Sequence, residues 1–278
     1  MKEIKQKKLT TESGIEIDYL EAGEGDPVVF LHGWIGEGHQ YIKQLEKLSD
    51  RHKVIAPSFR GHGNSSKTLY GHTCKTYAQD IKEFIIKLDL GEVLLAGWSL
   101  GASVIFEYLN SFSAVGLKGI CIIDQSPYPL NTRYWNLGAM KGNLDLELLL
   151  NITEGINENF DKTAQKLILS LFPDGESEDA IKRYLEYARK VPPVIASSIF
   201  LDLIAKDRRP NIHKIKAPSV FIFSHVSRFG RETAEWLKSK VTGSRLIYLK
   251  NCKHMPFYDN PDEFNNVLHS FAKDIFSK

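Results

Sequence analysis

The residues best suited to chemistry lie in Gly97-Trp98-Ser99-Leu100-Gly101. This segment follows a short apolar run at 93–96 (VLLA) and precedes an apolar helical pattern from Leu100 to Leu109. A sharp strand-to-helix turn strains its middle residue, and small neighbours let the chain close on itself. Such a turn pushes the Ser99 hydroxyl out above a sheet, at a helix N-terminus that favours developing negative charge. The chemistry implied is nucleophilic attack on a carbonyl carbon. The oxyanion then needs N–H donors, and the backbone amide after the nucleophile, Leu100, is one. The bland alternative is an ordinary serine in a glycine-rich turn; the flanking strand and helix argue against it.

A serine nucleophile needs a base, and the chain has nine histidines. His39 and His52 flank a helical stretch, and His62 sits in a turn after the strand at 53–56. His72, His213 and His269 have no motif around them. His32 reads as a histidine that shapes its loop. His225 follows the strand at 218–223 and is placed to line a pocket. His254 lies between the strand at 244–249 and a terminal helix near 261–277.

These residues need elements to position them. Short apolar runs alternate with longer helical stripes, which predicts βαβ units and a largely parallel sheet. Residues 15–20 alternate and read as a half-exposed antiparallel strand; 28–31 and 53–56 read as strands covered on both faces. From Pro127 the rhythm changes. Residues 128–212 hold helical stripes at 144–151, 161–172 and 179–190, the last broken by Pro192 and Pro193, and no convincing strand. Strand–helix alternation then resumes. The expectation is an α/β core, 1–127 with 213–278, carrying a helical lid at 128–212 above the carboxyl ends of the strands.

Composition narrows the class. The 278 residues carry 36 Lys and Arg against 34 Asp and Glu, a net charge of +2, too even for a nucleic-acid footprint. Hydrophobic residues at 42% and charged residues at 25% exclude disorder, collagen and coiled coil. Three scattered cysteines argue against a disulfide framework, and no Cys/His spacing suits a metal. No apolar run approaches the ~20 residues of a membrane span, and the N-terminus lacks a signal-peptide core. A cytoplasmic protein without a cofactor is expected.

Taken together, VVFLHGW at 28–34, SFRGHGNS at 58–65, GWSLG at 97–101 and CKHMPFYDNPDEFN at 252–265 resemble the α/β-hydrolase superfamily. The pairing of HGW with GWSLG is similar to pimeloyl-carrier methyl ester esterases. The resemblance implies an α/β-hydrolase fold, a mostly parallel sheet flanked by helices. It also implies that His254 is the base and that the Trp34 amide is the second oxyanion donor. The usual acid position departs from the pattern: Ser224-His225-Val226-Ser227-Arg228-Phe229-Gly230 holds no carboxylate, and Ser227 stands in its place. Some relatives place the acid at the end of the neighbouring strand, which here is Asp124 in Ile123-Asp124-Gln125-Ser126-Pro127. Without it, Ser99 and His254 would form a dyad. Asp202, Asp207 and Asp259 are the other carboxylates weighed, the last as a helix cap.

Trp34, Trp98, Tyr128, Tyr134 and Trp135 fall near the expected crevice, with Trp98, Tyr128 and Trp135 assigned to the substrate pocket; the alternative is that they only pack lid on core. The function expected is hydrolysis of a small carboxylic ester, thioester or lactone. A slow small-molecule sensor, a carbon–carbon hydrolase or a cofactor-free haloperoxidase would keep the same residues. Residues 128–212 hold eleven Lys and Arg against twelve Asp and Glu, so a carrier protein as partner has no basic platform in the totals.

Overall fold

A computed structural model describes residues 2–173 and 175–277. Eight strands form one sheet: β1 Lys5–Thr10, β2 Glu16–Ala22, β3 Pro27–Leu31, β4 Lys53–Pro57, β5 Val93–Trp98, β6 Leu117–Ile123, β7 Ser219–Ser224 and β8 Arg245–Leu249. The spatial order is β1-β2-β4-β3-β5-β6-β7-β8. β1 pairs antiparallel with β2, and β2 antiparallel with β4; all other neighbours are parallel. The central strands are buried along almost their whole length and are mainly apolar because helices cover both faces. β2 is more buried than its alternation suggests, because Tyr19 packs on Phe84 of the helix over 74–87 and Gln6 of β1 reaches over Asp18.

Helices α1 Ile42–Leu48, α2 Cys74–Lys87, α3 Leu100–Phe112, α8 Arg231–Lys240, α9 Pro256–Asp259 and α10 Pro261–Phe276 surround the sheet. The chain order reverses on either side of β3, a topological switch point, and loops beyond the carboxyl ends of the strands there form a crevice.

Between β6 and β7 the chain forms α4 Leu146–Glu158, α5 Phe160–Leu169, α6 Glu178–Arg189 and α7 Pro193–Ala205, with no strand among the described residues. α7 escaped the sequence reading. Ile195, Ala196, Ile199, Phe200, Leu203 and Ile204 are buried, but Val194 and Leu201 face outward, so no polar face sets off a stripe. Pro193, read as a breaker, occupies its first turn, where a missing N–H costs nothing.

Polar ties fasten this helical segment to the sheet domain. The Trp34 indole N–H donates to Ala196 O at 2.9 Å, and Lys190 Nζ lies 2.8 Å from Glu37 Oε2. Buried Arg208 pairs with Glu107 of α3 at 3.1 Å, while Asp202 accepts the amide of Cys74 at 2.9 Å.

Candidate active site

The local sequence explains the turn around Ser99. A Cβ on Gly101 would lie 2.1 Å from Leu31 O, and one on Gly97 would lie 2.5 Å from the Gly101 carbonyl carbon. Only glycines allow α3 to start so close to β3. The crowding leaves Ser99 with φ +52° and ψ −112°, a strained backbone for a residue with a side chain. Its amide donates to Ile123 O at 3.2 Å, which ties the turn to the end of β6.

Asp124 follows immediately on β6. It is fully buried, with φ +46°, in the left-handed region that aspartate tolerates better than most residues. Its amide donates to Ile222 O at 2.9 Å. The Asp124 Oδ2 lies 2.6 Å from His254 Nδ1, and Oδ1 receives a long bond, 3.4 Å, from the Ser224 amide. Nδ1–H donating to this carboxylate leaves His254 Nε2 as the acceptor nitrogen.

His254 is buried, and that burial lowers its pKa below 6.5. Asp124 pulls the other way, and the charge on Arg228 adds to the lowering. The imidazole is therefore neutral at neutral pH. Its loop is fixed from two sides. Trp98 Nε1–H donates to His254 O at 2.7 Å with the rings 5.2 Å apart, and the Lys253 amide donates to Asp259 Oδ2 at 2.8 Å. Asp259 thus closes the histidine loop, whereas Asn260 precedes α10; burial pushes its carboxyl up to about 6.

Ser99, His254, Trp34 and Trp98 line one cavity of about 80 Å³, walled otherwise mainly by apolar side chains of the helical segment such as Leu144, Leu167 and Phe200. The Trp34 loop turns through a Gly36 N–H to Gly33 O bond of 3.1 Å, with Ile35 at φ +51°. A β-branched residue there is strained, because that turn position usually takes glycine.

Other expectations fare differently. Tyr128 and Trp135 do not line the cavity. The Trp135 indole N–H donates to Tyr128 O, and the Arg209 guanidinium stacks 4.4 and 4.8 Å from the Trp135 and Tyr128 rings. Trp135 also meets Trp236 of α8, so these aromatics pack the helical segment onto the sheet domain. Tyr134 is exposed. His225 is exposed beside Tyr248, away from the cavity. His32 is buried, takes the Phe59 amide on Nε2 at 3.0 Å, and has Nδ1 2.8 Å from Gly33 O; it holds two loops together, with its pKa lowered to about 4 by burial. Asp202 and Asp207 are engaged by Arg208 and Arg209. Ser227 accepts the Phe229 amide at 2.8 Å, a local turn contact.

Sequence reasoning missed Arg228, Tyr184, Gln40 and Gln125 in the cavity wall. Gln125 follows Asp124 and was open to notice; Tyr184 on α6 carries no sequence signal. Among the described residues, no group of three or more His, Cys, Asp or Glu is arranged to hold a metal, and no helix is long and apolar enough to cross a membrane.

Comparison with known proteins bears on the family and the fold. A family model, the alpha/beta hydrolase family, matches residues 28–267. The AB hydrolase superfamily protein YisY of Bacillus subtilis is 23% identical over 95% of this chain and 98% of its own. The pimeloyl-[acyl-carrier protein] methyl ester esterase of Nitrosospira multiformis is 26% identical over 92% and 98%. An esterase from Exiguobacterium antarcticum superposes with a TM-score of 0.90 at 21% identity, covering 97% of this chain and 100% of that one. With the family match running from β3 into α10, this chain belongs to the alpha/beta hydrolase family.

Proposed function

We propose that the chain is a serine hydrolase that cleaves a small carboxylic ester, thioester or lactone through an acyl-enzyme on Ser99. One observation carries this reading. Ser99, strained at the head of α3, shares a cavity wall with a neutral His254 whose Nδ1 lies 2.6 Å from Asp124. Esterases among the relatives add support.

In the proposed cycle His254 Nε2 takes the Ser99 proton as Oγ bonds to the carbonyl carbon. The amides of Trp34 and Leu100 receive the oxyanion. The carbon–oxygen bond to the alcohol breaks, and His254 returns the proton to the departing alkoxide. Water, deprotonated by His254, then attacks the acyl-enzyme; the acid leaves and Oγ recovers its proton. Asp124 holds the imidazole in the working tautomer and stabilises its charged form. Residues 128–212 act as a lid that supplies the far wall of the pocket and excludes water. The apolar wall and small volume favour a short acyl group.

The test is hydrolysis of p-nitrophenyl esters of increasing acyl length by wild type and by Ser99→Ala. Multiple turnovers on short chains, lost in the variant, support the proposal. Equal rates in both proteins would overturn it.

A further inference from the structure

Arg228 carries a full charge in the wall of an otherwise uncharged, mostly apolar cavity. Among the described residues it is the only Lys, Arg, Asp or Glu that lines the space shared by Ser99 and His254. Its Nη2 donates to the Ser170 hydroxyl, and no carboxylate among the described residues pairs with it. The guanidinium is half-buried, and its one hydrogen bond among the described residues, to Ser170, lies on the exposed side, which leaves donors free to take a ligand in place of water. The main chain holds it in place from both sides. The Lys141 amide donates to Arg228 O at 3.0 Å, and Ser227 Oγ accepts the following amide at 2.8 Å. Two polar atoms of other cavity-lining residues are buried and unpartnered, the Tyr184 hydroxyl and Gln40 Oε1.

Three features point the same way. Burying part of an arginine with no carboxylate in contact is unfavourable, and a purely apolar acyl pocket has no need of the charge. Asp124 acts on the guanidinium only through space and makes no contact with it, since one of its oxygens faces His254 and the other the Ser224 amide. Arg228 is also near enough to the reacting groups for its charge to act on His254. Arg228 and Ser99 line the same cavity of about 80 Å³, so an anion on Arg228 and a carbonyl at Ser99 would share one small space.

We infer that Arg228 is a specificity-determining residue that binds a carboxylate on the acyl portion of the substrate, so that the preferred ester is a half-ester of a short dicarboxylic acid. The inference rests on the hydrolase reading above. The planar guanidinium fork suits a carboxylate, which it can hold through two parallel hydrogen bonds. Acting on the acyl part, this contact would raise kcat/KM by placing the carbonyl against the oxyanion donors.

Monomethyl succinate and methyl levulinate test the idea, because they differ mainly in a carboxylate against a methyl ketone. Wild type is expected to favour monomethyl succinate in kcat/KM by about tenfold or more at neutral pH. In Arg228→Met the ratio should fall to one or below, and Arg228→Lys should recover part of it. A wild-type preference for methyl levulinate, or a Met variant that keeps the succinate preference, would overturn the inference. If wild type cleaves neither ester, succinate titrated calorimetrically into Ser99→Ala decides separately. Binding that disappears with Arg228→Met added supports the carboxylate site while the ester reading fails; no binding removes the carboxylate site.

Discussion

Asp124 and His254 stand 130 residues apart in the chain and meet at 2.6 Å, carboxylate Oδ2 to imidazole Nδ1. The contact depends on neighbouring strands: β6 ends at Ile123, beside β7, and the histidine loop follows β8 on the far side of β7. A left-handed residue at Asp124 turns the carboxylate across β7 toward that loop. The position after β7, where an acid would reach the same imidazole, holds Ser227, turned to its own backbone.

Asp124→Asn is accordingly expected to lower kcat by about 10⁴, the loss seen when a triad acid is replaced in a serine protease. The variant should keep its near-ultraviolet circular dichroism, since the amide is isosteric. Turnover within a few-fold of wild type would remove Asp124 from the mechanism.

Burial holds His254 below 6.5, so the acid limb of the kcat/KM profile should have its midpoint below pH 6.5. Arg228→Met removes a charge that adds to this lowering, and the limb should move to higher pH. A profile measured on a short-chain ester with both proteins checks the direction of the change.

Stability should fall on the acid side for a related reason. His32, His62 and His254 are buried with pKa values below 6.5, that of His32 at about 4. As pH falls, the unfolded chain takes protons first, so stability present above about 6.5 is lost progressively toward about 4. His32 alone accounts for roughly 3 kcal/mol of this by the size of its shift. Urea midpoints at pH 7 and pH 5 should differ in that direction, and by less in His32→Leu. That variant itself should cost about 1–3 kcal/mol at pH 7, since the Phe59 amide loses its buried acceptor.

Gly33→Ala tests how tightly the oxyanion loop is built. The new Cβ would lie 2.3 Å from the Trp98 ring, which in turn bonds to the His254 backbone. The ring must move, and the expected result is a loss of about 10² in kcat/KM, since small misplacements at reacting groups are that costly. An activity close to wild type would mean that the loop and Trp98 yield without disturbing His254.

Much of the site was legible because it is written in short contiguous segments. Gly97 to Gly101 encode the elbow locally, since both glycines answer steric demands within the same turn. Asp124 became visible through an absence, the lack of a carboxylate between Ser224 and Gly230. The pocket was less legible. Tyr128 and Trp135 follow β6 closely in sequence, but proximity along the chain does not set direction, and Arg209 and Trp236 draw their rings outward. Helix α7 has no amphipathic stripe because its outward face also carries apolar residues, Val194 and Leu201, and Pro193 imitates a breaker while starting a helix. Arg228 reads as a solvated charge until the turn from Ser227 to Phe229 and the Lys141 contact place it in the cavity wall.

The central claim is a covalent acyl intermediate on Ser99. Quenching the enzyme in acid during turnover of p-nitrophenyl acetate, followed by proteolysis and peptide mass spectrometry, tests it directly. The account predicts an acetyl group on Ser99, absent from Ser99→Ala and raised in occupancy when Asp124→Asn slows deacylation. Sustained turnover with Ser99 unmodified, or an acetyl group on another side chain that persists in Ser99→Ala, would contradict it.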